Sequence, residues 1–217
     1  MFIVFYILSG NIKEENLFKL QTVIFIGRLS FQKSPWHLIN SFNLLLKKNK
    51  DVNLIFIGDG DQKVYQYINT QIKKYNIEKH VHFLGRKSNP YKYLRRSDVL
   101  ALSSYYEGTP NVIVEAIALN IPVVSSNCTK GIQELMSMEE HKKSSKNIIV
   151  ESGIITPNFY KGELDFPKDN KYTKEEEMMA LALEDILKIK ASKDFNKSNT
   201  KLLNKFNLEF VSNQYLK

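Results

Sequence analysis

The chain has 217 residues, of which 43% are apolar and 25% are charged, so its composition excludes a disordered protein and can supply a sizeable core. Its net charge of +8 is spread along the chain without a basic helix, a zinc-binding spacing or an aromatic RNA-binding signature. We therefore expect no nucleic-acid partner, and the basic balance fits an anionic substrate or a peripheral contact with an anionic membrane face. Cys128 is the only cysteine, which excludes an internal disulfide and favours a reducing, cytoplasmic compartment.

The chain opens with an apolar run, MFIVFYIL. This run is well short of the ~20 residues that span a bilayer. No basic residue precedes it and no small-residue cleavage pattern accompanies it, so the pattern does not favour a signal peptide. We expect residues 1–20 to form a short strand or the remnant of a linker.

From residue 21 onward, strand-like apolar runs alternate with helical patterns. The first run, TVIFIG, is rich in β-branched and aromatic residues, as expected of a parallel strand buried on both faces. Ser34 and Pro35 then mark the start of a helix. Five such β/α steps predict an α/β protein with a doubly wound, mostly parallel sheet. The predicted strands lie at 22–27, 53–58, 81–85, 99–104 and 121–126, further helices lie at 65–75 and 90–96, and the first helix has the apolar face Leu38, Ile39, Phe42, Leu45 and Leu46.

The regular alternation ends near Met136. Residues 137–147 are polar and charged and predict a surface loop, and the segment NIIVESGIIT after them can supply one more strand. Thr173 and Glu176 form a capping box ahead of a helix, and the last stretch of the chain has a weaker helical pattern. We therefore expect one main domain at residues 21–190 and a helical segment at 191–217.

The segment EGTPNVIVEA, residues 107–116, carries two carboxylates among apolar residues. An unpaired Glu115 would be costly in such surroundings, so some group must meet it. Thr109 suits a helix N-cap and Pro110 the first helical position, which would leave open backbone N–H groups as an anion site. Helical side chains lean toward the N-terminus, so Glu115 would point toward the same place. A phosphate at the helix end and a hydroxyl-rich group on Glu115 describe a nucleotide; the alternative is an amphipathic helix with a satisfied glutamate near its start.

Two loops after predicted strands carry further polar residues. Arg28 and Lys33 follow the first strand directly, where phosphate contact competes with the ordinary interpretation of solvated surface charges. The second strand ends in Gly-Asp-Gly-Asp, which is only part of a dinucleotide fingerprint. Asp59 and Asp61 form an Asp-x-Asp pattern that could chelate a metal, but two aspartates in a glycine turn are more often turn formers.

Taken together and in register, these motifs resemble a known family. GRLSFQKSPWHLINSF, NLIFIGDG, VHFLGR, EGTPNVIVEAIALNIPVVSS and GIQEL are similar to the nucleotide-sugar-binding half of retaining GT-B glycosyltransferases of the family 4 or group 1 type. The resemblance covers residues 22–135 and continues more weakly to about residue 190, where SGIITP matches a glycine-aliphatic-proline segment. It implies a Rossmann-like domain that forms the C-terminal half of a GT-B fold.

The resemblance also implies roles for the matched residues. Arg28 and Lys33 would stabilise the charge on the departing nucleoside diphosphate, Glu107 would lie near the donor sugar, and these three form the implied catalytic set. Glu115 would accept hydrogen bonds from the ribose hydroxyls. The family binds its donor without a metal, so we expect no metal and no other cofactor, and Asp59 and Asp61 should not be ligands. The implied substrate-binding set is Gly27, Arg86, Gly108, Thr109, Pro110, Asn111, Val112 and Glu115, with residues 86–89 bordering the base.

The implied reaction moves a sugar, with retention of configuration, from a UDP- or GDP-sugar to a lipid-linked or cell-surface saccharide, as in polysaccharide biosynthesis. A complete member has an additional N-terminal domain for the acceptor, whereas only about 20 residues precede the first matched strand here. A split or degraded gene, a natural two-chain transferase with a partner chain, and a stand-alone donor-binding module all remain open. The four histidines, His37, His80, His82 and His141, match no active-site motif and are expected at the surface or in loops. The insert at 137–147 is expected to be a longer loop, the alternative being an acceptor- or membrane-facing element.

Overall fold

A computed structural model describes residues 16–141, 144–167, 171–191 and 199–206. The predicted N-terminal strand and most of the predicted C-terminal helical segment lie outside these ranges. Among the helices in these ranges, none has the length and apolar character needed to cross a membrane.

The centre of the molecule is a seven-stranded sheet in the order β3-β2-β1-β4-β5-β7-β6. All neighbouring strands are parallel except the pair β6 and β7, which is antiparallel. The predicted doubly wound α/β fold is therefore confirmed. The strands are β1 (Gln21–Ile26), β2 (Val52–Ile57), β3 (Val81–Phe83), β4 (Val99–Leu102), β5 (Val123–Ser126), β6 (Ile148–Val150) and β7 (Gly153–Thr156).

Helices cover both faces of the sheet, and each face has its own apolar core. In β1, Val23 and Phe25 point into the core beneath α1, α2 and α6, whereas Ile24 points into the core beneath α4, α5 and α7. Burial on both faces explains why this strand is a continuous apolar run rather than an alternating one. The helices are α1 (Pro35–Leu46), α2 (Gln62–Tyr75), α3 (Tyr91–Leu94), α4 (Asn111–Ala118), α5 (Lys130–Met136), α6 (Lys174–Ala191) and α7 (Asn199–Asn204).

Two helices begin where local sequence signals place them. Helix α1 starts at Pro35, and its predicted face is buried from Leu38 to Leu46. Before α6, the Thr173 hydroxyl accepts from the Glu176 backbone N–H at 3.2 Å, and the Glu176 carboxylate accepts from the Thr173 N–H at 2.9 Å. The predicted capping box is thus present, and it satisfies two backbone donors that a helix end would otherwise leave open.

The segment at 147–156 forms two strands, where the sequence analysis expected one. Strands β6 and β7 make a hairpin across a turn at Glu151 and Ser152. Gly153, with φ of 143°, starts β7, and a Cβ there would lie 2.0 Å from the Val123 carbonyl oxygen. The chain can reverse this sharply beside β5 because only glycine tolerates both the conformation and the close approach. A strand-like apolar run does not reveal such a reversal.

A second glycine, Gly58, brings the loops at the carboxyl edge of the sheet together. It has φ of 137°, and a Cβ there would lie 2.0 Å from the Gly27 carbonyl oxygen. The Gly27 N–H donates to the Ile57 carbonyl, and the Gly58 N–H donates to the Gly85 carbonyl. The loops after β1, β2 and β3 therefore lie side by side, next to the point where the strand order reverses between β1 and β4. In open α/β sheets this point is where ligands bind.

Candidate functional site

The loop after β1 and the loop after β4 are bonded into one wall. The Ser34 hydroxyl donates to the Ser103 carbonyl at 2.5 Å, and the Ser103 hydroxyl donates to the Lys33 carbonyl at 3.0 Å. The Tyr105 N–H donates to the Gln32 carbonyl at 2.8 Å. Ser34 has a left-handed φ of 37°, which is uncommon for a residue with a Cβ and is held here by these contacts. The next side chains in these two loops therefore lie at the carboxyl edge of the sheet.

Lys33 and Glu107 meet on this wall. The Lys33 ammonium lies 2.5 Å from Glu107 Oε1, and the Ser104 hydroxyl donates to the same oxygen at 2.5 Å. The Lys33 side chain is 16% exposed and that of Glu107 is 5% exposed, so the pair is largely shielded from water yet reachable. Arg28 lies in the same β1 loop with an exposed side chain. The structure therefore brings two of the three implied catalytic side chains, Lys33 and Glu107, into contact, whereas the third, Arg28, is exposed to solvent.

The N-terminus of α4 lies directly after Glu107. The helix begins at Asn111, and Pro110, with φ of −75° and ψ of 90°, occupies the cap position without a side-chain cap. The expectation that Thr109 caps the helix and Pro110 starts it is therefore wrong by one residue, because ψ at Pro110 is extended rather than helical. Thr109 is exposed, and a Cβ on Gly108 would meet nothing within 4 Å. Asn111, the first residue of the helix, is exposed, and Val112 is half-buried.

Glu115 is half-buried, and the Tyr91 hydroxyl donates to its Oε1 at 3.2 Å. Tyr91 comes from α3, which follows the β3 loop that contains Arg86. The hydrogen-bond donor to the Glu115 carboxylate is thus the phenol of Tyr91, which is 47% exposed at the protein surface. The carboxylate of Glu115 stays accessible to hydroxyl donors, and Arg86 lies exposed in the neighbouring loop.

The Gly-Asp-Gly-Asp turn serves the fold. Asp61 caps α2, since its carboxylate accepts from the backbone N–H groups of Lys63 at 2.7 Å and Val64 at 3.3 Å. A Cβ on Gly60 would lie 2.2 Å from the Leu29 carbonyl oxygen, so this glycine allows the β1 and β2 loops to touch. In the described ranges, no three His, Cys, Asp or Glu side chains are grouped so that they could hold a metal ion.

A buried polar network supports the wall from behind, and sequence reasoning missed it. His37 Nδ1 lies 2.6 Å from Glu176 Oε1, and His37 Nε2 lies 2.9 Å from the Tyr105 hydroxyl. Asn40 donates to the same Glu176 oxygen at 2.8 Å. Tyr105 directly precedes Tyr106 and Glu107, so the network links α6 to the loop that carries the Glu107 carboxylate.

The histidines are not where the sequence analysis expected them. His37, His80 and His82 are all buried, so their expected surface or loop position is wrong, and only His141 lies in a loop. His80 Nδ1 donates to the Val52 carbonyl at 3.0 Å, and His37 has the two partners described above. An apolar environment accepts an imidazole once its ring nitrogens are bonded, which a sequence pattern does not show.

The thiol of Cys128 is half-buried after β5. Burial raises the pKa of this thiol to about 11, and the nearby negative charge of Glu107 adds to the rise. At neutral pH the group is therefore a neutral thiol and a poor nucleophile. The effect of Glu107 also shows that the end of β5 lies close to the Lys33 and Glu107 pair.

Residues 10–153 match the family described as glycosyl transferases group 1. The chain belongs to this family. The matched range contains every implied site residue, from Gly27 to Glu115, whereas the network partner Glu176 lies beyond it. This group 1 glycosyl transferase chain is 41% identical over 125 residues to an uncharacterized glycosyltransferase of Methanocaldococcus jannaschii, an alignment that covers 57% of the chain and 30% of the relative.

A second relative is the Campylobacter jejuni enzyme named N-acetylgalactosamine-N,N'-diacetylbacillosaminyl-diphospho-undecaprenol 4-alpha-N-acetylgalactosaminyltransferase. It is 32% identical over 127 residues, which are 58% of this chain and 33% of that protein. Capsular polysaccharide glycosyltransferases of Staphylococcus aureus are also similar. The group 1 chain thus spans about a third of the length of these curated relatives.

Solved structures share the fold. HepE of Anabaena, solved with UDP and glucose, has a TM-score of 0.69 at 21% identity, and the match covers 93% of this chain and 48% of that one. The C-terminal domain of a group 1 glycosyl transferase from Francisella tularensis has a TM-score of 0.64 at 17% identity and 85% coverage of both chains. These likenesses show that the group 1 chain has the Rossmann-like α/β fold of the GT-B glycosyltransferases.

Proposed function

We propose that this chain is the donor-binding half of a retaining glycosyltransferase that uses a UDP- or GDP-sugar. The observation that carries the proposal is the meeting of Lys33 and Glu107 beside the open N-terminus of α4, at the switch point between β1 and β4. Positive charge and free backbone N–H groups suit a diphosphate, and a carboxylate suits sugar hydroxyls. HepE, which shares this fold, was solved in complex with UDP, and this supports a nucleotide as the ligand.

The proposed chemistry uses these groups in turn. Lys33 and Arg28 stabilise the charge that develops on the departing nucleoside diphosphate. Glu107 orients the donor sugar, and Glu115 accepts hydrogen bonds from ribose hydroxyls. The oxygen of an acceptor hydroxyl bonds to the anomeric carbon, the bond from that carbon to the diphosphate oxygen breaks, and the hydroxyl proton passes to that oxygen. We propose that donor binding requires no metal.

The acceptor proposed is a lipid-linked or cell-surface saccharide, and the site of action is the cytoplasmic side of a membrane. The support is the undecaprenol-linked substrate in the name of the Campylobacter relative, together with the net charge of +8, which favours an anionic surface. The alternative is a nucleotide-sugar-binding module that needs a separate chain with the acceptor domain.

Calorimetry with UDP and with GDP, each in EDTA, tests the donor site. Binding of one nucleotide by wild type, lost on replacement of Lys33, supports the proposal, and no heat from either nucleotide at millimolar concentration overturns it. Incubation with a UDP-sugar and a saccharide acceptor then separates the two forms of the proposal. Turnover by the chain alone favours the transferase, and turnover only after a second chain is added favours the module.

A further inference from the structure

A cleft of about 650 Å³ opens beside the proposed donor site. This volume lies within the range of pockets that hold small organic ligands, roughly 300–1,000 Å³. The cleft lies between the end of β5, the start of α5, the loop after β7 and the chain that follows α5. Its walls include the side chains of Asn127, Thr129, Gln133, Glu140, Asn158 and Tyr160.

Hydrogen bonds hold one wall of the cleft in place. Gln133 on α5 donates to Asn127 Oδ1 at 3.3 Å and accepts from the His141 backbone N–H at 3.1 Å. The His141 ring nitrogen Nε2 lies 2.9 Å from the Ser137 hydroxyl. The start of the insert at 137–147 is therefore a wall of a cavity and more than a surface loop.

The charges in the cleft cancel. Lys130 Nζ lies 2.9 Å from Glu140 Oε1, so the ammonium and the carboxylate that line the cleft form an ion pair. A second phosphate site would need an uncompensated positive charge or a set of free backbone N–H groups. The balance of charge suits a neutral polar ligand.

The remaining groups fit a ligand rich in hydroxyls. The Thr129 hydroxyl is buried, and no hydrogen-bond partner for it exists among the described residues. Tyr160 is 42% exposed, and its ring offers an apolar face above the cleft. Sugar hydroxyls both donate and accept, and so do threonine hydroxyls, while the C–H face of a sugar ring packs on an aromatic ring. A buried hydroxyl without a partner carries a cost that a bound hydroxyl would relieve.

The cleft borders the proposed donor site. A Cβ on Gly131 would lie 3.4 Å from the Gly108 carbonyl oxygen, so the start of α5 touches the loop after Glu107. Asn158 donates to the Tyr105 carbonyl at 3.3 Å, two residues before Glu107. A ligand in the cleft would therefore extend toward the position proposed for the donor sugar.

We propose that this cleft binds the saccharide of the acceptor, so that the donor-binding half of the enzyme itself holds part of the acceptor. This inference rests on the proposed function. The bound saccharide would present its hydroxyl oxygen to the anomeric carbon of the donor, and the hydroxyl proton would leave with the diphosphate oxygen. Thr129 and Tyr160 are the residues that recognise it.

Ligand-detected saturation-transfer NMR on the full chain tests the inference, with the methyl glycosides of glucose, galactose, N-acetylglucosamine and N-acetylgalactosamine as probes. We expect at least one glycoside to bind, with and without saturating UDP. Thr129→Val and Tyr160→Ala should each weaken that binding about three- to tenfold, since each removes one polar or stacking contact, and should leave UDP binding unchanged. Thr70→Val, at an exposed position on α2, and Tyr160→Phe, which keeps the ring, are the matched controls.

Three results would overturn the acceptor cleft. The first is that no glycoside binds, and the second is that the Thr129 and Tyr160 variants bind a glycoside as wild type does. The third is displacement of a bound glycoside by UDP-glucose, UDP-N-acetylglucosamine or GDP-mannose but not by UDP or GDP, which would mean that the donor sugar fills the cleft. Glycoside binding without any nucleotide binding would instead count against the proposed donor site, so the two failures are distinguishable. Thr129→Val removes only an unpartnered hydroxyl, and its melting temperature should be no lower than that of wild type.

Discussion

The Lys33 ammonium and the Glu107 carboxylate lie 2.5 Å apart although 74 positions separate them in the sequence. Each comes from a loop at the carboxyl end of a parallel strand, and β1 and β4 are neighbours only because the strand order reverses there. In the free protein each charge compensates the other. A nucleoside diphosphate would compete with Glu107 for Lys33, so ligand binding and this ion pair are coupled.

Glu107→Gln should separate binding of the nucleotide from binding of the sugar. Glutamine can keep the contact with Ser104 and removes the charge that competes for Lys33, so the affinity for UDP should stay equal or rise. The affinity for a UDP-sugar should fall by about 1–3 kcal/mol, because a charge-assisted hydrogen bond to the sugar is lost. Lys33→Met is the matched variant and should weaken binding of both ligands. Titration calorimetry in EDTA measures all four affinities, and equal losses for both ligands in both variants would contradict the assigned roles.

Glu115→Ala should weaken UDP binding by about 1–3 kcal/mol through lost hydrogen bonds to the ribose. The control is Tyr91→Phe, which removes only the 3.2 Å hydrogen bond to Glu115 and leaves the carboxylate in place. That bond is exposed, so the control should change UDP affinity by less than about 1 kcal/mol. If the two variants lose the same affinity, Tyr91 rather than Glu115 is the group that the nucleotide requires.

Glu176→Ala should destabilise the fold by about 3 kcal/mol or more, because it strips buried partners from His37, Asn40 and the Thr173 N–H together. Glu177→Ala is the control on the same helical turn, since Glu177 is exposed and should cost little. Urea unfolding measures both. A loss no larger for Glu176 than for Glu177 would show that the network does not stabilise the fold.

Local patterns predicted much of this fold. The apolar runs predicted β1 to β5, and the capping box of Thr173 and Glu176 predicted the start of α6, because each signal involves residues close in sequence. The same patterns put Thr109 at the cap of α4, a position that Pro110 occupies. They also merged β6 and β7 into one strand, since the reversal depends on how Gly153 approaches β5.

The candidate site was predicted only in part. Family resemblance drew attention to Lys33, Glu107 and Glu115, but nothing in the sequence showed that Lys33 and Glu107 pair or that Tyr91 meets Glu115. The contact between His37 and Glu176 spans 139 positions and no periodicity reports it. Such contacts depend on how the helices pack against the sheet, and this packing is a property of the whole folded chain.

His82 should make stability depend on pH. Burial, followed by the charge of neighbouring His80, lowers the pKa of His82 from 6.5 to about 4 in the folded chain. Below pH 6.5 the unfolded chain therefore binds a proton that the folded chain does not accept until about pH 4. Stability is fully present above pH 6.5 and is lost as the pH falls toward 4, by up to roughly 3 kcal/mol from this residue alone.

His82→Gln isolates this contribution, because glutamine is polar, similar in size and does not titrate. The buried glutamine amide changes the free energy of unfolding of the variant by the same amount at every pH. The quantity to compare is therefore the slope of the unfolding free energy against pH. Urea unfolding of both proteins between pH 7.5 and pH 5 should show wild type losing more stability than the variant, by about 1–2 kcal/mol over that interval. His80 remains in both proteins with a pKa that burial also lowers, so part of the slope should persist in the variant. Parallel curves for the two proteins would show that His82 takes up its proton as readily in the folded chain as in the unfolded one.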